Sequence, residues 1–194
     1  MYLHNIIRRT RKEPIMRITN NSLTVLATLF ILMPFVGCTE KEKNNKPEVS
    51  LTVEPLVGIG DIKFGDSKDG IIGIFGEPDE IQAQGNELNY VASKGMGLTI
   101  DADMGLKRIK LWSENWPQKL LFTVSTFAGK TASDVGMGAT REQIVAAYGE
   151  PDRTSTPDSQ SFTAVIENLH YDKVKTKFTL ADGNLVAIIL EARE

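Results

Sequence analysis

Few side chains in this sequence could do chemistry. Its 194 residues hold two histidines, His4 and His170, and one cysteine, Cys38. A nucleophilic mechanism would need Ser125 or Ser161 beside His170, and neither stands in a strained strand-to-helix turn of the kind that exposes a hydrolase serine. His170 alternates with Leu169 and Tyr171, which predicts the polar side of a strand. Asp101 and Asp103 open a stretch with the outset of a calcium loop, but the closing bidentate glutamate would fall at position 112, which is Trp112. Ala181-Asp182-Gly183 reads as a hairpin turn. Gly58-Ile59-Gly60 lacks the third glycine and the Gly-Lys of a phosphate cradle. One cysteine excludes an intramolecular disulfide and a Cys-cluster metal site. The expectation is no catalytic residue, no metal and no cofactor. A small-ligand sensor or enzyme built on the carboxylates of Asp101, Asp103 and Asp182 is the alternative. The net charge of −3 argues against a nucleic-acid partner, which calls for a basic face.

The elements that must carry these residues begin after an address segment. Residues 23–36, LTVLATLFILMPFV, are uncharged and apolar. They fall short of the roughly 18 residues that span a bilayer and fit a signal-peptide core of about 7 to 15. Arg8, Arg9, Arg11, Lys12 and Arg17 precede them, and Phe35-Val36-Gly37-Cys38 follows, then a polar run. The segment resembles a bacterial lipoprotein signal with its lipobox, with Phe35 where Leu is usual. That resemblance implies a signal peptide over 1–37, cleavage before Cys38 and acylation of its thiol, so that membrane lipid is one partner. Met16 opens a shorter signal of the same form. Thr39 resembles an outer-membrane sorting residue, so the expected location is the bacterial envelope, at the outer membrane and facing the periplasm. Residues 38–50, rich in Lys, Glu and Asn, predict a solvated tether. Without 1–37 the chain keeps 17 basic against 24 acidic residues.

The body is written twice. Residues 61–79 (DIKFGDSKDGIIGIFGEPD) and 134–152 (DVGMGATREQIVAAYGEPD) align without gaps, with 7 identities in 19 positions. Downstream, Leu88-Asn89-Tyr90 parallels Leu169-His170-Tyr171, 98–100 parallels 178–180, and 103–111 parallels 182–190. The second copy carries about eight extra residues in a Ser/Thr/Pro-rich stretch, where a longer loop costs little. Ser67 and Thr140 are N-caps by type, and Thr140 with Gln143 forms a capping box. A short helix follows each, with Ile71, Ile72 and Phe75, or Ile144, Val145 and Tyr148, on one face. Gly76 and Gly149 are placed for left-handed caps, and Pro78 and Pro151 keep each helix from resuming. Glu-Pro-Asp after each glycine is therefore helix-ending punctuation. Strands are expected over 87–92, 97–101 and 106–112, and again over 162–171, 175–181 and 185–191. The predicted class is α+β: two tandem repeats, each a strand, a short helix and a three-stranded antiparallel meander. Unit 1 is 51–112, the linker 113–118, and unit 2 119–194, with the units packed together through their sheets.

Residues 135–144, VGMGATREQI, followed by Tyr148-Gly149-Glu150-Pro151, resemble the helix signature of the SmpA/OmlA family, which includes the small lipoprotein of the outer-membrane barrel-assembly machinery. The arrangement is also similar to the tandem units of beta-lactamase inhibitory protein. What the resemblance implies is an envelope scaffold that binds other proteins. Trp112 and Trp116, in Trp-Ser-Glu-Asn-Trp-Pro at the junction, are candidate partner-binding residues, since large rings anchor interfaces. Tyr90 and Tyr171, at equivalent positions, are added to them. Residues 153–161 are the candidate specificity loop. The function read from the sequence is a membrane-anchored lipoprotein that serves as a non-catalytic protein-binding module with an envelope protein partner.

Overall fold

Two short helices begin where the side chains offer a cap. In the computed structural model, which describes residues 51–118, 123–157 and 162–193, α1 is Lys68–Phe75 and α3 is Arg141–Tyr148. The expected signal peptide, Cys38, the expected tether and Ser161 lie outside the described residues. Ser67 Oγ accepts the Gly70 N–H at 3.3 Å. Thr140 makes the full capping box: its Oγ1 accepts the Gln143 N–H at 3.4 Å, and Gln143 Oε1 accepts the Thr140 N–H at 2.8 Å. Each bond satisfies a donor that the first helical turn leaves free.

Both helices end on glycine, though not in the left-handed conformation the sequence predicts. Gly76 has φ 80°, ψ −173° and Gly149 φ 80°, ψ −172°. This pairing of positive φ with extended ψ is essentially open to glycine alone. The N–H of each still closes the last turn, to Ile72 O and Val145 O, both at 2.8 Å. The chain thus leaves each helix in an extended direction instead of curling back.

That exit feeds an edge strand the sequence reading lacked. β1 (Val53–Glu54), β2 (Gly58–Ile59) and β3 (Ile62–Lys63) form a small sheet of their own. After α1 come β4 (Glu80–Gln82), β5 (Glu87–Tyr90), the one-turn helix α2 (Val91–Lys94), β6 (Met96–Asp101) and β7 (Gly105–Trp112). After α3 come β8 (Arg153–Ser155), β9 (Ile166–Tyr171), β10 (Thr176–Ala181) and β11 (Asn184–Glu191). Each meander has four strands, not three, because β4 and β8 add to β5 and β9. The eight strands form one antiparallel sheet in the order β4-β5-β6-β7-β11-β10-β9-β8. β7 pairs with β11 edge to edge, with Lys110 opposite Ile189. The register slips once in each meander, between Thr99 and Ile100 and between Thr179 and Leu180.

Side chains alternate across a strand, so a continuous register assigns each face. One face carries Leu88, Tyr90, Leu98, Ile109, Leu111, Leu169, Phe178, Ile188 and Leu190, each 2% exposed or less. Ile71 and Phe75 of α1 and Ile144 of α3 close over them in one core cluster. Burying each such side chain contributes about 1.5–3 kcal/mol. The opposite face has no helix over it among the described residues. At one corner Trp116, Phe162 and Ala164 pack over Ile166, Ala181 and Val186.

Candidate binding face

The uncovered face of the sheet is organised in rows, because each cross-strand partner sits directly opposite the last. One row crosses all eight strands: Glu80, Asn89, Gly97, Lys110, Ile189, Lys177, His170, Arg153. Strands lie about 4.8 Å apart, so Lys110 and Arg153, four steps distant, are roughly 19 Å apart along it. Arg108 and Glu191 pair across β7 and β11 in a neighbouring row.

The half of this face from β7 to β8 is cationic. A concavity of about 530 Å³ lies there, lined among others by Arg108, Lys110, Arg153, His170, Lys177 and Glu191. Its lining holds five cationic side chains against the two carboxylates of Asp172 and Glu191, in a chain whose net charge is −3. Glu191 Oε1 accepts Arg108 Nη2 at 2.8 Å, and Asp172 Oδ2 accepts Arg153 Nε at 3.2 Å. Lys110 and Lys177 make no ion pair among the described residues. Burial holds the Lys177 ammonium below the usual lysine range; Glu191 opposes this, while Arg108, Arg153 and Lys110 add to it. His170 is lowered as well, by burial first and then by Arg153 and Lys177, against the pull of Asp172. This favours the uncharged ring, whose Nε2 lies 2.9 Å from Ser155 Oγ.

The half from β4 to β7 is different. Gly97 stands where the other half has Lys177, and the Trp112 ring lies across it: a Cβ there would come within 2.9 Å of the indole. A hollow of about 340 Å³ is lined by Trp112, Asn89, Val91, Glu80 and Asp79, among others. Trp112 is half-buried on this face. Trp116 belongs to the covered corner, edge-on to Phe162 with ring centroids 6.1 Å apart. The two tryptophans thus line different hollows and do not form one aromatic patch.

Tyr90 and Tyr171 are not contact residues, which corrects the sequence reading. They are 0% and 5% exposed, on the helix side of the sheet. Each phenol reaches the carbonyl that ends the helix above it: Tyr90 Oη donates to Gly76 O at 2.7 Å, and Tyr171 Oη to Gly149 O at 2.9 Å. Burial, then Glu77 and Asp79, pushes the Tyr90 phenol up to about 12. The Tyr171 phenol is raised by burial and next by Glu150. Parity held this information: in Leu88-Asn89-Tyr90 the tyrosine shares its face with the leucine.

The repeated Asp after each proline also has a place. Asp79 Oδ2 accepts the Ser93 N–H at 2.9 Å, and Asp152 Oδ2 accepts the Asp172 N–H at 2.8 Å. Each ties the exit of a helix to the short turn that follows β5 or β9. Glycine, tyrosine and aspartate together lock helix, edge strand and meander.

The carboxylates of the alternative reading stand apart. Asp101 Oδ1 accepts the N–H groups of Asp103 at 3.0 Å and Met104 at 3.2 Å, and Oδ2 takes Lys107 Nζ at 3.3 Å. These bonds hold its carboxyl below the usual range. Asp182 Oδ1 accepts the Val165 N–H at 3.0 Å. The two turns close opposite ends of the sheet, since Arg108 pairs with Glu191 at one end and Trp112 with Ala187 at the other. Among the described residues no three His, Cys, Asp or Glu side chains group as metal ligands. Ser125 hydrogen-bonds Ala92 O at 2.5 Å. The serine beside His170 is Ser155, which the sequence reading missed by taking 153–161 as loop. Within the expected loop, 158–161 lie outside the described residues.

No family model and no curated protein matches the chain. Two solved structures are similar in part. A DUF4309 family protein (YjgB) from Bacillus subtilis matches with a TM-score of 0.46 and 15% identity, over 70% of this chain and 84% of that one. An extracellular protein containing a SCP domain, from Bacillus anthracis, matches with a TM-score of 0.40 and 11% identity, over 79% of this chain and 49% of that one.

Proposed function

We propose that this chain is a non-catalytic protein-binding module of the bacterial envelope, held to the membrane through an acylated Cys38, with the open face of its sheet turned to a protein partner. The observation that carries the reading is the sheet itself: both longer helices pack on one face, and the other presents a row across eight strands that is polar at every position but Gly97 and Ile189. Rigid strands hold such groups in fixed positions, which suits recognition. No helix among the described residues is long and apolar enough to cross a membrane, so the tether rests on the lipobox resemblance alone.

The module is two copies of one unit, 51–112 and 119–194, joined by 113–118. The matching caps, the paired Tyr-to-Gly hydrogen bonds and the register slips at Thr99 and Thr179 support this. Lys110 and Ile189, aligned in the sequence, face each other where the halves meet. At His170 burial, Arg153 and Lys177 oppose an imidazolium and Asp172 favours one, so the reading assigns no hydrolytic role to Ser155 and His170.

A photo-crosslinking residue placed at Thr99, Lys110 or Asn168 on the open face, and at Asp69 or Gly73 on α1, tests the reading in cells. Adducts to one envelope protein from the open-face positions alone are expected, lost when Cys38→Ala releases the chain from the membrane. Equal adducts from both sides, or none from the open face, would overturn it.

A further inference from the structure

We propose that the concavity between β7 and β8 is a binding site for a dianionic phosphate group, with Lys177 on its floor and Lys110, Arg108 and Arg153 around it. The site is independent of the protein-partner reading and takes from it only the openness of the face.

Three observations converge. The lining has a surplus of three positive charges, five cations against two carboxylates, within a chain that is acidic overall. Both of those carboxylates are already held, Glu191 by Arg108 and Asp172 by Arg153. The three lysines left over, Lys110, Lys175 and Lys177, have no ion-pair partner among the described residues, and Lys177 is half-buried in the row between Ile189 and His170. An ammonium desolvated among other cations disfavours its own charged state, and an added anion reverses that. The pKa directions agree: Lys177 and His170 both lie low, each pressed by cations of this cluster.

Stoichiometry and shape narrow the ligand. One carboxylate would leave most of the surplus in place, whereas a phosphate monoester brings about −1.5 to −2 charges. The donors come from three strands of one face, β7, β10 and β8, and a phosphate group offers three oxygens to share among them where a carboxylate offers two. Ser155 and His170 add further hydrogen-bonding atoms at the rim. About 530 Å³ accommodates a small ester or the headgroup of a lipid, and a phosphate monoester on either gives the same chemistry.

The His170 imidazole reports the site directly. The charged groups that face it are Arg153 from β8, Lys177 from β10 and Asp172 from the turn after β9. The full chain in zwitterionic detergent, with pyrophosphate as the soluble probe and chloride at matched ionic strength as control, is followed by proton NMR. His170→Asn, which removes the signal, assigns the resonance. Saturable movement of the His170 signal is expected, with its pKa rising as pyrophosphate fills the site. Lys177→Gln and, separately, Lys110→Gln each weaken binding by about tenfold, the scale of one charge-assisted hydrogen bond. Vesicles of phosphatidylcholine with and without phosphatidic acid form the second arm. Binding by pyrophosphate shows that a soluble phosphate group suffices; binding only by phosphatidic acid identifies a headgroup; either supports the site if both lysine variants weaken it. Two results overturn it: chloride moving His170 as much as pyrophosphate does, which is screening only, or variants that fold and bind like the parent. Should Lys177→Gln unfold the chain, Lys110→Gln carries the test. Pyrophosphate binding without open-face crosslinks would leave this site standing and remove the partner reading. Crosslinks without anion binding would do the reverse.

Discussion

The two halves of the sheet are alike beneath and unlike above. Under the helices, Leu88 corresponds to Leu169, Tyr90 to Tyr171, Leu98 to Phe178, Ile109 to Ile188 and Leu111 to Leu190, all buried. On the open face the same backbone positions hold Glu80 against Arg153, Asn89 against His170, Gly97 against Lys177 and Lys110 against Ile189. The buried face has to interdigitate at crystal-like density, so its residue types are confined. The open face has no such demand. Whatever distinguishes one half from the other in function has to be sought there, where one half offers an indole over a glycine and the other a surplus of charge.

Substitutions at matched positions test how deep the likeness goes. The largest effect is expected in the core, where the halves differ in aromatic content. Phe178 meets the rings of Tyr148 and Tyr171 at 5.1 and 5.6 Å, while Phe75 meets only Tyr90, at 5.9 Å. Phe178→Ala should cost about 3–5 kcal/mol and Leu98→Ala less, toward the lower end of about 2–5 kcal/mol. Urea unfolding measures both. Equal losses would mean that the extra rings add nothing to the second half.

Next come the helix-ending glycines. Nothing lies within 4 Å of a Cβ built on Gly76 or Gly149, so the cost of Gly→Ala there is backbone strain alone. Each should lose about 1–3 kcal/mol. Because the dihedral angles agree to within a degree, the two losses should agree too, whatever the surroundings. A clear difference would show that one half relaxes its cap and the other does not.

Alkaline pH should act through the buried phenols. Tyr90 ionises near 12 when folded and near 10 when unfolded, so the unfolded chain releases its proton first. The stabilisation is complete below pH 10 and fades as pH rises from 10 to 12, by about 2–3 kcal/mol. Tyr171, raised in the same direction, adds to the loss. Tyr90→Phe should lower stability at neutral pH, by leaving Gly76 O without its donor, and flatten the alkaline slope. Absorbance at the phenolate band, followed alongside unfolding, checks both effects. An early ionisation of Tyr90 would mean that the lock on α1 is looser than that on α3.

How much of this was legible depended on range. Caps, helix ends and six of the eight main strands follow from contacts within a few residues, and Thr140 with Gln143 specified its box outright. β4 and β8 were invisible because three exposed residues carry no period; the pairing with β5 and β9 creates them. The join of β7 to β11 brings together residues 79 positions apart, Lys110 and Ile189, and no local pattern encodes it. The cationic cluster was hidden for the same reason. Its members are scattered from 108 to 191 and become neighbours only once that join and the second meander are in place. Tyr90 and Tyr171 were legible and misassigned, since alternation with Leu88 and Leu169 already turned them inward.

The smallest effect sharpens the comparison most, because it has an unusual sign. Lys177 is a half-buried cation pressed by Arg108, Arg153 and Lys110, whereas its counterpart Gly97 is a residue without charge. Most substitutions destabilise. Lys177→Gln should instead stabilise the anion-free chain at pH 7, by a few tenths of a kcal/mol, the scale of an exposed charge interaction. Repulsion among partly exposed cations is screened by salt, so the gain should shrink as sodium chloride rises toward 1 M. Phosphate in place of chloride should erase it at lower concentration, since an anion in the concavity stabilises the parent and not the variant. Thermal unfolding across the two salt series reads all three effects. A loss of stability in every buffer would show that the Lys177 stem matters for packing, with its charge already well compensated. The two halves would then differ in shape alone.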